Sequence, residues 1–338
     1  MASSSSEPPS ELRRRLRVHH EPEPGRRWRE RLEEFLPAYL RWYRREGMRA
    51  RPGYLECERA LTEHLPELVP LWRRLVDLAG GGDVAARLLS LWRPPPFLAG
   101  CSQLACPPPD PVLIRNYDYA PWLWEAVLWH TRWCGRGVLA SGDCLWGALD
   151  GLNDRGLAAS LSFGGRRKVG EGFGLPLILR YVLETCGTVA EAAAVLQRVP
   201  SHMAYNVSLV DAGGAHATVQ VEPGGGARVL RDRASTNHQM RAEWTAYARR
   251  TASHERETAL RALLQGAPVA REELTRRFLA PPLYADRFAR GWGTLYTAVY
   301  EPAGGRASFH WRDRELALSL QEPREHELEL AFAFASRS

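Results

Sequence analysis

Cys101 follows a glycine in "LAGCS" (98–102), and polar residues in an apolar setting come soon after it. A reactive cysteine needs a lowered pKa and a base. One base is the nucleophile's own α-amino group, whose pKa of about 8 lies close to working pH. That route requires Cys101 to begin a chain, and so requires a cut between Gly100 and Cys101. Glycine has no Cβ and tolerates the strained backbone such a cut needs. In "RNYDY" (115–119), Arg115 beside a thiolate would lower its pKa, and Asp118 beside an amine would hold it. The plain alternative is an ion pair between the two at a strand end. Asn153 lies in "GLNDRG" (151–156), where a turn is the simplest role. Asn237 and His238 follow a strand in "ASTNHQ" (234–239). A side-chain amide there either holds an oxyanion or caps the next helix.

These residues need elements to place them. Apolar steps of three and four predict a helix over 27–47, which Pro37 should bend or split. Further helices are expected over 54–66, 67–79 and 84–92, ending at "RPPP" (93–96). Strands are expected over 111–119, 136–142, 144–150 and 156–164. Helices follow over 174–186 and 188–199, the second with a Thr188/Glu191 capping box. Strands are then read over 205–211, 215–223 and 227–232, helices over 240–265 and 270–279, and strands over 293–302, 306–312 and 327–335. Strands cluster in meanders, which argues for antiparallel sheets with helices outside, an α+β protein. Trp122, Trp129 and Trp133 fit one helical face, as core or as a wall for an apolar acyl group.

Composition removes several functions. The chain has 338 residues and a net charge of +6, and Lys168 is its single lysine. The short Arg runs are mixed with Glu and read as solvated surface, so no nucleic-acid partner is expected. No uninterrupted apolar stretch reaches membrane-spanning length, and the N-terminus lacks a secretory signal's apolar segment. The expected location is the cytoplasm. Its six cysteines show no metal-ligand spacing, so free thiols and no metal are expected. No nucleotide loop or other cofactor motif occurs.

The ordered set of motifs resembles the N-terminal-nucleophile hydrolases of the penicillin acyltransferase (peptidase C45) type, and more distantly the bile-salt hydrolases. "AGCS" resembles the family's processing site, and "IRNYDYAP" its RNxDY strand. "GLNDRGLAASLSF" is similar to its hairpin, and "YNVSLVDAGG…ASTNHQ" to its later strands. The resemblance implies a four-layer αββα sandwich with an N-terminal helical pro-segment. The Ser/Pro-rich composition of residues 1–25 predicts a disordered tail, and the resemblance divides the rest into the pro-segment (26–100) and the core (101–338). It implies Cys101 as nucleophile after cleavage at Gly100–Cys101, Arg115 and Asp118 as partners, and Asn237 as oxyanion donor. Asn153, Ser162 and His238 are possible supporting residues, with Ser162 standing where bile-salt hydrolases carry Asn. The substrate expected is a small acyl amide or acyl thioester. Two alternatives stay open: an inactive sandwich used for binding, and an uncleaved cysteine hydrolase with His238 as base.

Overall fold

A computed structural model describes residues 11–106, 109–265 and 269–334. The N-terminal part opens with strand β1 (Glu11–His20), then helices α1 (Arg26–Arg44), α2 (Tyr54–His64), α3 (Val69–Leu78) and α4 (Asp83–Leu89). Pro37 lies inside α1, which continues through it as one helix. Buried residues on both sides of the proline, Trp28 and Leu32 before and Tyr43 after, anchor both halves.

Strands β2 (Gly100–Cys106), β3 (Val112–Tyr119), β4 (Val127–Thr131), β5 (Val138–Asp143), β6 (Gly147–Asn153) and β7 (Leu157–Phe163) follow. Then come α5 (Leu175–Thr185), α6 (Val189–Arg198), β8 (Tyr205–Asp211), β9 (His216–Val221), β10 (Ala227–Leu230) and β11 (Ala234–Ser235). Helices α7 (Thr245–Arg250), α8 (Ser253–Leu263) and α9 (Arg271–Phe278) precede β12 (Gly293–Glu301), β13 (Arg306–His310), β14 (Glu315–Ser319) and β15 (His326–Ala333). The expected Thr188/Glu191 capping box is present at α6.

The strands form two sheets. One has the order β10-β9-β8-β7-β6-β5-β4-β1-β15, and the other β11-β2-β3-β12-β13-β14. They lie face to face, bridged by polar side chains. Gln103 on β2 donates to Ser160 on β7 at 2.5 Å, and Tyr296 on β12 donates to Ser141 on β5 at 2.9 Å. Helix α5 covers the larger sheet from outside, where Arg180 donates to the carbonyl of Trp146 at 3.1 Å. On the other outer side, Asn116 of β3 donates to the carbonyl of Phe278 at the end of α9, at 2.8 Å. The result is the expected αββα sandwich of an α+β chain.

Three expectations are corrected. Residues 11–20 of the expected tail form β1, an interior strand that pairs with β15 and runs parallel to β4. The sandwich is therefore not confined to 101–338. The strand is stable because Leu16 and Val18 are buried, while Arg13, Arg15 and Arg17 face Glu327 and Glu329 of β15. Residues 1–10 of that tail lie outside the described residues. The single helix expected over 240–265 is two, since Ala252 takes a left-handed φ of 48°. The tryptophans share no helical face: Trp129 lies on β4, fully buried against Trp133 and His19, and Trp122 is exposed. Trp129 and Trp133 are core.

Candidate active site

β2 carries Cys101, and β3 lies antiparallel beside it. Gly100 stands opposite Asp118, Cys101 opposite Tyr117, and Gln103 opposite Arg115. Alternation sends Arg115 toward the space between the sheets and Asn116 toward the helices. Arg115 Nη2 donates to Cys101 Sγ at 2.8 Å, and Nη1 donates to the carbonyl of Leu149 at 2.9 Å and to the Asp150 carboxylate. Asp150 also accepts from Tyr296 at 2.7 Å and from Tyr300.

The helix side supplies the second set of contacts. Arg256 on α8 donates to the Cys101 carbonyl at 2.5 Å, to Ser102 Oγ at 2.9 Å and to Asn237 Oδ1 at 2.7 Å. It also pairs with Asp118 at 3.4 Å, while Thr294 donates to the other Asp118 oxygen at 2.7 Å. β3 and β12 change register between Thr294 and Tyr296, which makes room for this arrangement.

Asn237 grips the chain around Cys101. The backbone N–H of Cys101 donates to Asn237 Oδ1 at 3.0 Å. Asn237 Nδ2 donates to the carbonyls of Ala99 at 3.3 Å and Phe163 at 3.2 Å. Tyr247 donates to the same Ala99 carbonyl at 2.9 Å. Gly100 has extended strand backbone, so its role is space and not a left-handed turn. A Cβ there would stand 2.0 Å from the Trp292 ring.

In the continuous chain Cys101 is fully buried. Burial pushes its thiol up to about 11, against the pull of Arg115 and Arg256. Burial also raises Asp118, opposed by Arg256 and the Thr294 hydrogen bond. Two surface clefts, of about 350 and 410 Å³, lie around Arg312 and around Arg93, and neither is lined by Cys101, Arg115, Asp118, Asn237 or Arg256.

Cys101, Arg115, Asp118 and Asn237 therefore converge. The supporting candidates divide. Ser162 donates to the carbonyl of Thr236 at 3.0 Å and so braces the strand that leads into Asn237. Asn153 sits elsewhere: it donates to the carbonyls of Leu183 and Cys186 and accepts from the backbone of Arg155 and Leu157. That is a turn-forming role. His238 bonds Ser253 at 2.8 Å, Thr236 at 3.3 Å and Glu257 at 2.9 Å. His238, His254 and Glu257 bring potential ligand atoms within 4.8 Å of one another. The His238–Glu257 hydrogen bond already accounts for two of them.

Arg256, Tyr247 and Trp292 are site residues that the sequence did not disclose. "SHERETALRAL" (253–263) reads as an ordinary solvated helix, and only the fold shows that Arg256 is buried in it together with Ser253 and Leu260.

A model of the family described as acyl-coenzyme A:6-aminopenicillanic acid acyl-transferase matches residues 106–315, 210 of the 338. The chain belongs to that family. It is an enzyme of the N-terminal-nucleophile kind, whose members transfer acyl groups or hydrolyse amides. The match begins just beyond Cys101 and includes Arg115, Asp118, Asn237 and Arg256. Comparison with curated proteins gives no match. Among solved structures, a mutant conjugated bile acid hydrolase from Clostridium perfringens is similar at 12% identity and TM-score 0.46, covering 68% of this chain and 96% of that one. Penicillin V acylase from Agrobacterium tumefaciens follows at 17% identity and TM-score 0.43, with 68% and 90% covered. An N-acylethanolamine-hydrolyzing acid amidase ortholog from Caenorhabditis elegans has 14% identity and TM-score 0.42, with 60% and 93% covered. No helix among the described residues is long and apolar enough to cross a membrane.

Proposed function

We propose that this enzyme cuts its own chain after Gly100 and then uses Cys101 to hydrolyse or transfer the acyl group of a small amide or thioester. The observation that carries the reading is the double grip on one residue: Asn237 holds the Cys101 nitrogen and Arg115 its sulfur.

In the first stage the Cys101 sulfur attacks the Gly100 carbonyl carbon. The C–N bond breaks, the Cys101 nitrogen takes the thiol proton, and a thioester joins Gly100 to Sγ. Water hydrolyses that thioester, leaving a Gly100 carboxylate, a free thiol and a Cys101 amine. In the second stage the amine takes the thiol proton as the sulfur attacks the substrate acyl carbon. The proton then passes to the leaving group, and water or an acceptor amine removes the acyl group from Sγ. Arg115 stabilises the thiolate, Asp118 orients the amine, and Asn237 donates to the oxyanion. Arg256 holds Asp118 and Asn237 in register.

Residues 1–100 act as a pro-segment that stays attached after the cut. β1 lies between β4 and β15 and cannot leave without opening the larger sheet. Trp28 Nε1 also donates to the Leu145 carbonyl at 3.0 Å. Cys57, Cys101, Cys106, Cys134, Cys144 and Cys186 are free thiols, which supports the cytoplasm as the compartment.

Intact-mass measurement of the purified protein tests the reading. Pieces of 100 and 238 residues are expected, the second being 338 less 100. Cys101→Ala should stay whole and transfer no acyl group. A wild-type chain that stays whole overturns the amine-base mechanism, and a cut in Cys101→Ala overturns the choice of nucleophile.

A further inference from the structure

Helix α8 presents more than Arg256. His254 and Glu257 lie three positions apart on it and so share a face. Arg256, between them in sequence, turns to Cys101 and Asp118 instead. Against the shared face stands His238, in the segment that leaves β11. The His238 and His254 rings are 4.3 Å apart, centre to centre. One ligand atom from each of His238, His254 and Glu257 lies within 4.8 Å of the other two. Two imidazoles and a carboxylate thus converge on one point from two separate elements.

The charge around that point favours a cation. Glu257 divides its oxygens: Oε1 accepts from Arg261 at 2.7 and 3.0 Å, and Oε2 meets His238 Nε2 at 2.9 Å. Arg261 is itself shared with Asp232, at 2.6 Å. Two carboxylates therefore divide one guanidinium, and a negative charge is left over beside the imidazoles.

His238 is already held as a ligand would be. It is 8% exposed, and its Nδ1 lies 2.8 Å from Ser253 Oγ and 3.3 Å from Thr236 Oγ1. A hydroxyl donates or accepts by rotating. Without an ion, Nε2–H donates to Glu257 and Nδ1 accepts from Ser253. With an ion on Nε2, the ring carries its proton on Nδ1 and Ser253 accepts it. The imidazole keeps one proton in both states. Such a partner on the second nitrogen is what fixes the ring of a metal-bound histidine.

We propose that His238, His254 and Glu257 bind one zinc-type divalent ion, which clamps α8 to the segment that carries Asn237. Imidazole nitrogens favour Zn²⁺ and its neighbours over Mg²⁺ and Ca²⁺, which prefer all-oxygen shells. Three protein ligands and one water on the open side complete a four-coordinate shell. Bonds of about 2.0–2.2 Å put bound ligand atoms at most about 4.4 Å apart. A small turn of the exposed His254 ring closes the difference. The ion does not touch Cys101, but it joins the two elements that hold it. Ser253 Oγ, which accepts the His238 proton, also accepts from the backbone N–H of Asn237 at 2.9 Å, and α8 supplies Arg256. Cysteine spacing could not disclose this site, because none of its ligands is a cysteine.

Calorimetry with Zn²⁺ on the full chain, stripped of metal with EDTA, tests the site. The chain carries Cys101→Ala, which removes the thiol most able to compete and makes the result independent of the self-cut. One Zn²⁺ per chain should bind, and Mg²⁺ should give no heat. Further substitution of His254→Ala or Glu257→Gln should weaken Zn²⁺ binding by roughly tenfold or more. Glu255→Gln, at an exposed acid of the same helix, should leave it unchanged. Zn²⁺ should raise the melting temperature of the parent and not of His254→Ala, while the two should melt together in EDTA. Co²⁺ in place of Zn²⁺ should show the visible bands of a four-coordinate ion, absent in His254→Ala. No Zn²⁺ binding, or equal binding of Zn²⁺ and Mg²⁺, overturns the proposal. So does Zn²⁺ binding that is the same in the parent and in both ligand variants, which would put the ion on the remaining cysteines.

Discussion

Asp150 and Asp143 lie on neighbouring strands of one sheet, β6 and β5, Asp150 fully buried inside the sandwich and Asp143 half-buried at a strand end. Asp150 accepts from Arg115, Tyr296 and Tyr300, so its charge is matched and its oxygens are filled. Asp143 has a shared tyrosine hydroxyl, one backbone N–H and another carboxylate nearby. Burial, then Glu125, pushes Asp143 up to about 7. The contrast separates two kinds of acid. A matched carboxylate is structural and fixes the arginine that meets the thiol. An unmatched one holds its proton to higher pH.

The largest expected effect comes from breaking the matched side. Arg115→Met leaves Asp150 buried without a cation, which should cost about 3–5 kcal/mol of stability. Urea unfolding measures it, and the double change Arg115→Met with Asp150→Leu should recover much of the loss. A loss below about 1 kcal/mol would mean that the ion pair is not what holds the sheets in register. The self-cut should vanish in both variants, because the guanidinium at the Cys101 sulfur is gone.

Arg256→Met would leave Asp118, like Asp143, an acid without a cation. Asp118 already lies above the usual carboxylate range through burial, and Arg256 is the main opposing influence. Removing Arg256 should raise Asp118 further and move the acid limb of the turnover pH profile upward. In protein that has completed the cut, turnover at pH 6 should fall at least tenfold. An unchanged profile would detach Asp118 from the reaction.

Asp143→Asn should act in the opposite direction on stability. A carboxyl raised from 3.8 to about 7 contributes stability that is complete below about pH 4 and lost as pH rises through 7. Asparagine has no charge to bury. The variant's melting temperature should match wild type near pH 4 and exceed it at pH 8. Equal melting temperatures at both pH values would show that Asp143 has a countercharge after all.

These contrasts were only partly legible in the residue string. The Cys101, Arg115, Asp118 and Asn237 set was readable because three of its parts lie in short motifs with strand-like surroundings. Ser162 was singled out only by the resemblance, as the residue standing where bile-salt hydrolases carry Asn. Arg256 was hidden because it lies in a run of alternating charges, and burial of one such residue depends on packing against β2. β1 was hidden for a related reason. "ELRRRLRVHH" looks like solvated charge until its arginines meet Glu327 and Glu329 some 300 residues later. β2 was read only as a processing site, since "GCSQLAC" is short and small, and becomes a strand by pairing with β3 and β11. Asp143 carries no local signal, because a missing partner is visible only in three dimensions.

Glu257 offers the mildest test, because its partners are matched but water reaches them. His238, then Arg261, holds its carboxyl down to about 2, and the side chain is partly exposed. A depressed carboxylate contributes stability above its unfolded value of 4.5, and loses it as pH falls toward 2. Solvent screening limits such a pair to about 0.2–1 kcal/mol. Glu257→Gln should therefore lower the melting temperature at pH 7 by about 1–2 °C, with the difference shrinking below pH 4. His238 is next to Asn237 in sequence, but its bonds run to Ser253, Thr236 and Glu257 and not to Cys101. The rate of the self-cut should then change less than twofold in Glu257→Gln. A tenfold loss of cutting with an unchanged melting temperature would move His238 from the scaffold into the reaction, and would revive it as the base of an uncleaved cysteine hydrolase.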